Sequence, residues 1–173
     1  MATLRVKLFV AVAALLAGVV TAAAQLADFA PAGEGFSVRF PQNPTFNADV
    51  PSRDIVAHSW TAASGGYAYF MGRGVTKNGH TINAFDSTFD ADQEDVVTAW
   101  KATLVKSEHL EWPGPDGPLP ARLFAITSGN RYGEYLETIR DKYVFAIFIV
   151  ATTDTPAARE EVDRQVRTLR ITQ

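Results

Sequence analysis

Three histidines, His58, His80 and His109, are the residues of this chain best suited to metal or general-base chemistry. They stand too far apart for a helical His pair, and none has a ligand-type neighbour at metal-site spacing, so no metal site is expected. On a strand, His58 shares a face with Val56 and Trp60, which is the setting of a structural imidazole. The acidic run Asp86, Asp90, Asp92, Glu94 and Asp95 lacks the Gly and the closing Glu of a calcium loop. Its carboxylates suit the first turn of a helix, with Asp90 or Asp92 as cap. Glu134 and Glu137 would form an acid–base pair only if both met one substrate, but three residues apart on a strand they point to opposite faces. Neither Ser64 nor Ser128 lies in a nucleophile elbow, and no glycine loop of the phosphate-cradling kind is present. With no Cys there is neither a thiol nucleophile nor a disulfide. No catalytic residue and no cofactor are therefore assigned, and the pattern points away from an enzyme.

One constellation is of the kind used in recognition. Trp112 stands beside a Pro-rich stretch, and Arg131 and Tyr132 fall in what reads as a neighbouring turn. Amphipathic rings with a planar cation are enriched at binding hot spots, so Trp112, Arg131 and Tyr132 are the candidate partner-binding surface. The alternative is a Trp ring tucked under the loop. Pro115-Asp116-Gly117-Pro118 has PxxP spacing, yet the Gly and the short length argue against a docking peptide.

The elements that would position these residues can be read from periodicity. Phe36–Pro41 alternates apolar and polar residues as a half-buried strand does. Arg53–Trp60 and Tyr67–Val75 are the next two strands, joined by the flexible Ala62–Gly66, and Asn78-Gly79 marks a reversal. From Asp92 the period lengthens, with Val96, Trp100 and Leu104 on one helical face. Four Pro and two Gly among Pro113–Pro120 predict a rigid extended loop without regular structure. Ala121–Thr127 and Tyr132–Arg140 follow as strands, turning at Ser128–Arg131 and at Asp141-Lys142. Tyr143–Ala151 is apolar without a break, the mark of a strand buried on both faces near the sheet centre. A second helix starts with Thr155 as cap and Pro156 at its first position. Its stripe is Ala158, Val162, Val166 and Leu169, and Glu160–Arg164 and Asp163–Arg167 are supporting pairs. The fold class is α+β: an antiparallel sheet of about six to seven strands flanked by two main helices.

That order, with the opening Gly35-Phe36-Ser37-Val38-Arg39-Phe40-Pro41, resembles the PsbP-like superfamily, known from an extrinsic photosystem protein and a nuclear-import factor acting on a small GTPase. The resemblance extends through the middle helix, the loop with Gly114 and Gly117, the strands around Tyr132–Val150 and the last helix. It implies a non-catalytic binding or assembly protein. The ending Thr168-Leu169-Arg170-Ile171 departs from that family's aromatic and Ser ending, and no functional residue is carried over.

Residues 1–24 read as a secretory signal: Arg5 and Lys7, then thirteen apolar or uncharged residues Leu8–Val20, then Ala22-Ala23-Ala24 before a cut at Gln25. Thirteen helical residues reach about 20 Å, short of the roughly 30 Å hydrocarbon core, so no integral span is expected after cleavage. The address is then the periplasm or the extracellular medium, with residues 25–173 as one domain. Loss of Arg5 and Lys7 makes the net charge of −3 more negative by two units, which argues against nucleic acid as a partner. The expected role is an exported binding or envelope-assembly domain whose partner is an envelope protein. The competing role is a small-molecule binder or hydrolase with a pocket between the sheet and a helix or loop.

Overall fold

The computed structural model describes residues 25–51, 55–84 and 86–172. The signal segment, 1–24, and Arg53 at the start of the second predicted strand lie outside them. In chain order the elements are β1 (Leu26–Phe29), β2 (Phe36–Pro41), β3 (Thr45–Pro51), β4 (Ile55–Ser64), β5 (Tyr67–Thr76) and α1 (Asp86–Trp100). Then follow β6 (Thr103–Gly114), β7 (Gly117–Ser128), β8 (Arg131–Arg140), β9 (Tyr143–Ala151), α2 (Pro156–Val166) and β10 (Arg170–Ile171). A seven-stranded antiparallel sheet has the order β3-β4-β5-β9-β8-β7-β6, and β1-β2-β10 make a smaller sheet. The fold is α+β and mostly strand.

The unbroken apolar run becomes β9, the middle strand of the seven. Its alternation divides the hydrophobic residues into two cores. Phe145, Ile147 and Ile149 face Phe36, Phe40, Trp60, Leu136 and the α2 stripe Ala158, Val162, Val166 and Leu169. Val144, Ala146, Phe148 and Val150 face Phe89 and Val96 of α1 together with Phe124, Tyr135 and Ile139. The large sheet is therefore covered by α2 and β2 on one face and by α1 on the other. α2 begins as its sequence predicts, with the Thr155 hydroxyl accepting from the Ala158 N–H and Pro156 at the start. The β4–β5 connection needs only Gly65 and Gly66, both at positive φ, so the strand runs through Ala62–Ser64, which the sequence reading assigns to a loop.

Three further expectations are corrected. The middle helix starts at Asp86, not near Asp92, and ends at Trp100. Lys101 takes positive φ while the Ala102 N–H bonds the Val97 carbonyl, which closes the helix, and Leu104 lies exposed on β6. Pro113–Pro120 is no irregular loop: β6 and β7 continue to the partnered Gly114 and Gly117, with Pro115-Asp116 as the turn. Counting outward from that turn, Pro113, Pro118 and Pro120 fall at positions that exchange no ladder hydrogen bonds, and β8 begins only opposite Ala121. Their missing N–H groups thus cost the sheet nothing. Arg164 pairs with Glu161 rather than Glu160, whereas the Asp163–Arg167 pair forms.

Close packing fixes one glycine between β8 and β9. A Cβ on Gly133 would lie 2.9 Å from Phe148 Cε2 and 3.1 Å from Val150 Cγ2. Gly133→Ala is expected to destabilise the protein by about 1–3 kcal/mol, measured by chemical denaturation.

Candidate functional site: a carboxyl pair under the first helix

α1 carries an apolar stripe, Phe89 and Val96, with Asp92 in the middle of it at 2% exposure. The strand below contributes Glu137, 1% exposed, between Tyr135 and Ile139 on the face that α1 covers. The two carboxyl groups meet within hydrogen-bonding reach. As carboxylates both could only accept, which would leave both Asp92 oxygens and Glu137 Oε1 buried without a donor. A proton held between them supplies that donor. Burial first, then the charge of the other carboxyl, raises Asp92 far above the ordinary carboxylate range. Burial also raises Glu137, against the favourable pull of Asp92, the Tyr135 hydroxyl and Arg122. The pair titrates as a unit that keeps a proton at neutral pH.

Around the pair, polar side chains tie the helix to the sheet. Arg122 of β7 stands beside Glu137 in the ladder. Its Nη1 donates to Ser107 Oγ at 2.8 Å and its Nη2 to Asp90 Oδ1 at 2.6 Å, while Ser107 donates to Gln93 Oε1 at 2.6 Å. Tyr135 reaches Glu137 Oε2 at 3.4 Å, and burial drives the Tyr135 hydroxyl well above its ordinary range. Asp90 and Asp92 thus hold the helix down on the sheet, a role that N-terminal capping does not describe.

Next to this cluster an open groove of about 330 Å³ separates the start of α1 from the β6–β7 hairpin. Ala84 and Phe89 line one side; His109, Glu111, Pro118 and Pro120 line the other. Phe89 lies three residues before Asp92, so the wall of the groove and the carboxyl pair belong to one helical face.

The residues singled out from sequence are dispersed. Trp112 is 6% exposed and packs in the core under α2 and β2, as the tucked alternative has it. Tyr132 is also buried there; its hydroxyl donates to Glu134 Oε1 at 2.5 Å and its ring lies under the Arg159 guanidinium at 4.9 Å. Only Arg131 is exposed. Trp112 pairs with Leu119 and Tyr132 with Thr127 at opposite ends of β7, roughly 27 Å apart at ~3.4 Å per residue. The structure does not bring the three together. His58 Nδ1 lies 2.8 Å from Glu34 Oε1, whose other oxygen accepts from Arg73 at 3.2 Å, so the imidazole is held as a structural one is. Among the described residues no group of three or more His, Asp or Glu is placed to hold a metal ion.

Glu134 and Glu137 do face opposite sides of β8, and each lies buried. Sequence reasoning weighed Glu137 only against Glu134, set that pair aside, and so missed Glu137 with Asp92. The available signal was a carboxyl at an apolar-periodic position: Asp92 between Phe89 and Val96, and Glu137 between Tyr135 and Ile139.

No protein-family model matches the chain, and no curated protein matches it. Among solved structures it is similar to cyanobacterial PsbP (CyanoP) from Synechocystis sp. PCC 6803. The TM-score is 0.57 at 12% identity, over 86% of this chain and 93% of that one. The chain therefore has a PsbP-like fold. No helix among the described residues is long and apolar enough to cross a membrane.

Replacing Arg122 by Met removes the cation beside Glu137 and the anchor of Asp90 and Ser107. The expected cost is about 1–3 kcal/mol at pH 7. It should shrink near pH 4, where a protonated Glu137 no longer needs the cation, as denaturant titrations at the two pH values would show.

Proposed function

We propose that this chain is an exported, non-catalytic binding domain that recognises an envelope protein through the groove between α1 and the β6–β7 hairpin. The groove itself carries the reading. Its volume of about 330 Å³ lies at the lower end of the range of ligand sites, about 300–1,000 Å³. Its hairpin wall is stiffened by Pro113, Pro118 and Pro120, whose fixed φ angles limit the ordering cost of binding. The carboxyl groups with the most altered proton affinity lie sealed under α1, away from any incoming substrate. The PsbP-like fold and the apolar segment Leu8–Val20 behind Arg5 and Lys7 support export and an extrinsic role.

The placement of this groove between a helix and a hairpin also favours a second reading, a small-molecule binder. His109 and Glu111 would then supply the polar contacts to a ligand seated on Phe89 and Pro120.

The experiment is cross-linking and co-purification of the tagged chain from an envelope extract of its host, beside Glu111→Lys in the groove and Glu160→Lys on the exposed face of α2. The expected result is one discrete protein retained by the wild type and by Glu160→Lys, and lost with Glu111→Lys. Equal retention by all three, or none by a folded and abundant wild type, counts against the groove as the protein-binding surface. Native mass spectrometry of the purified domain covers the second reading, where a bound small molecule should appear. N-terminal sequencing of the exported protein should begin at Gln25.

A further inference from the structure

We propose that the proton shared by Asp92 and Glu137 is a latch that holds α1 against the sheet, and that its loss as pH rises releases the helix and opens the groove. The geometry carries this. The two carboxyl groups belong to different elements, both are almost fully buried, and without a proton three of their four oxygens have no donor. Losing that proton would place two anions in contact inside an apolar layer, and the simplest relief is for α1 to lift and hydrate both.

The surroundings do not replace the proton. Asp95 and Asp90 on α1 add negative charge, and Asp90 is already occupied with Arg122. From β6 come Ser107, which donates to Gln93, and His109, one strand beyond Arg122 in the ladder. Among the described residues Arg122 of β7 is the only cation directly beside Glu137, and its two terminal nitrogens are committed to Ser107 and Asp90. β8 offers the Tyr135 hydroxyl, while β9 and β5 present Ala146 and Gly72 along the same row. Glu134 on the opposite face differs in having one donor: its Oε1 accepts from the Tyr132 hydroxyl, while its Oε2 is buried without a partner.

The sign follows from linkage. With α1 closed the pair holds its proton well above the ordinary carboxylate range; with α1 lifted both groups meet water and release protons near pH 4. Opening therefore releases protons. It is unfavourable and pH-independent below about pH 4, and above that it grows by at least about tenfold per pH unit, through neutrality, until the closed pair itself ionises. Because Ala84 and Phe89 form one wall of the groove, the released helix would carry that wall away. This consequence for binding rests on the function proposed above, whereas the latch does not.

The test is amide hydrogen exchange of α1 in the whole protein between pH 5 and 8, corrected for the intrinsic pH dependence of exchange, in the wild type, Asp92→Asn and His109→Gln. Asparagine donates to Glu137 but leaves Glu137 as the one titrating member, so Asp92→Asn should lose α1 protection with rising pH clearly less steeply than the wild type. The wild type and His109→Gln should both lose at least about tenfold in corrected protection per pH unit. Flat protection in the wild type, or the same slope in Asp92→Asn, overturns the latch; a slope abolished by His109→Gln assigns the titration to the histidine instead. Should Asp92→Asn not fold, Glu137→Gln makes the same comparison. A working latch in a protein that binds nothing at the groove would leave the latch standing and remove only the binding role.

Discussion

Burial of β9 on both faces is the constraint from which the rest of this structure follows. A strand whose every side chain is apolar must be covered twice, and the cover on each side has to be amphipathic. α2 with β2 supplies one layer and α1 the other. The neighbouring strand β8 then inherits two dry faces as well. Any carboxyl group on β8 is forced into a low-dielectric layer, and its energetics depend on what the covering element brings to it.

Two glutamates on that one strand meet this constraint in different ways. Under α2, Glu134 receives the Tyr132 hydroxyl, and Arg167 and Lys106 are near enough to favour its charge, although burial still raises its proton affinity. Under α1, Glu137 receives Asp92, another acid. The first arrangement gives the carboxyl one donor and leaves its Oε2 buried without one; the second leaves three of its four oxygens without a donor until a proton is present. Because Asp92 sits on the helix and Glu137 on the sheet, that proton is also a bond between layers. Arg122, Ser107 and Gln93 add neutral and charged links at the same seam, but none of them reaches the Asp92 carboxyl oxygens.

Much of this architecture was legible in the sequence, for physical reasons that can be named. The unbroken run Tyr143–Ala151 could only be a central strand, and Thr155-Pro156 left little doubt about where α2 starts. The seams were harder. Val96 and Trp100 share a period with Leu104, so the helix appeared to continue; its true end depends on a positive φ at Lys101, which a Lys side chain does not advertise. Pro113–Pro120 carries every mark of a loop, yet a hairpin absorbs prolines at positions outside its ladder bonds. Trp112 and Tyr132 are twenty residues apart along the chain and joined by a strand, so two turns that looked adjacent lie at its opposite ends. The carboxyl pair stayed hidden because Asp92 fits a helix N-terminus by type, and only the earlier start at Asp86 moves it into the buried stripe.

The protonation state of the pair can be observed directly by carbon-13 NMR titration of the side-chain carboxyl carbons of Asp92 and Glu137 in the folded protein. The account predicts that the pair still holds a proton at neutral pH, with its titration displaced well above the ordinary carboxylate range by burial. Two carboxyl resonances that both ionise near pH 4 while α1 remains folded on the sheet would contradict it.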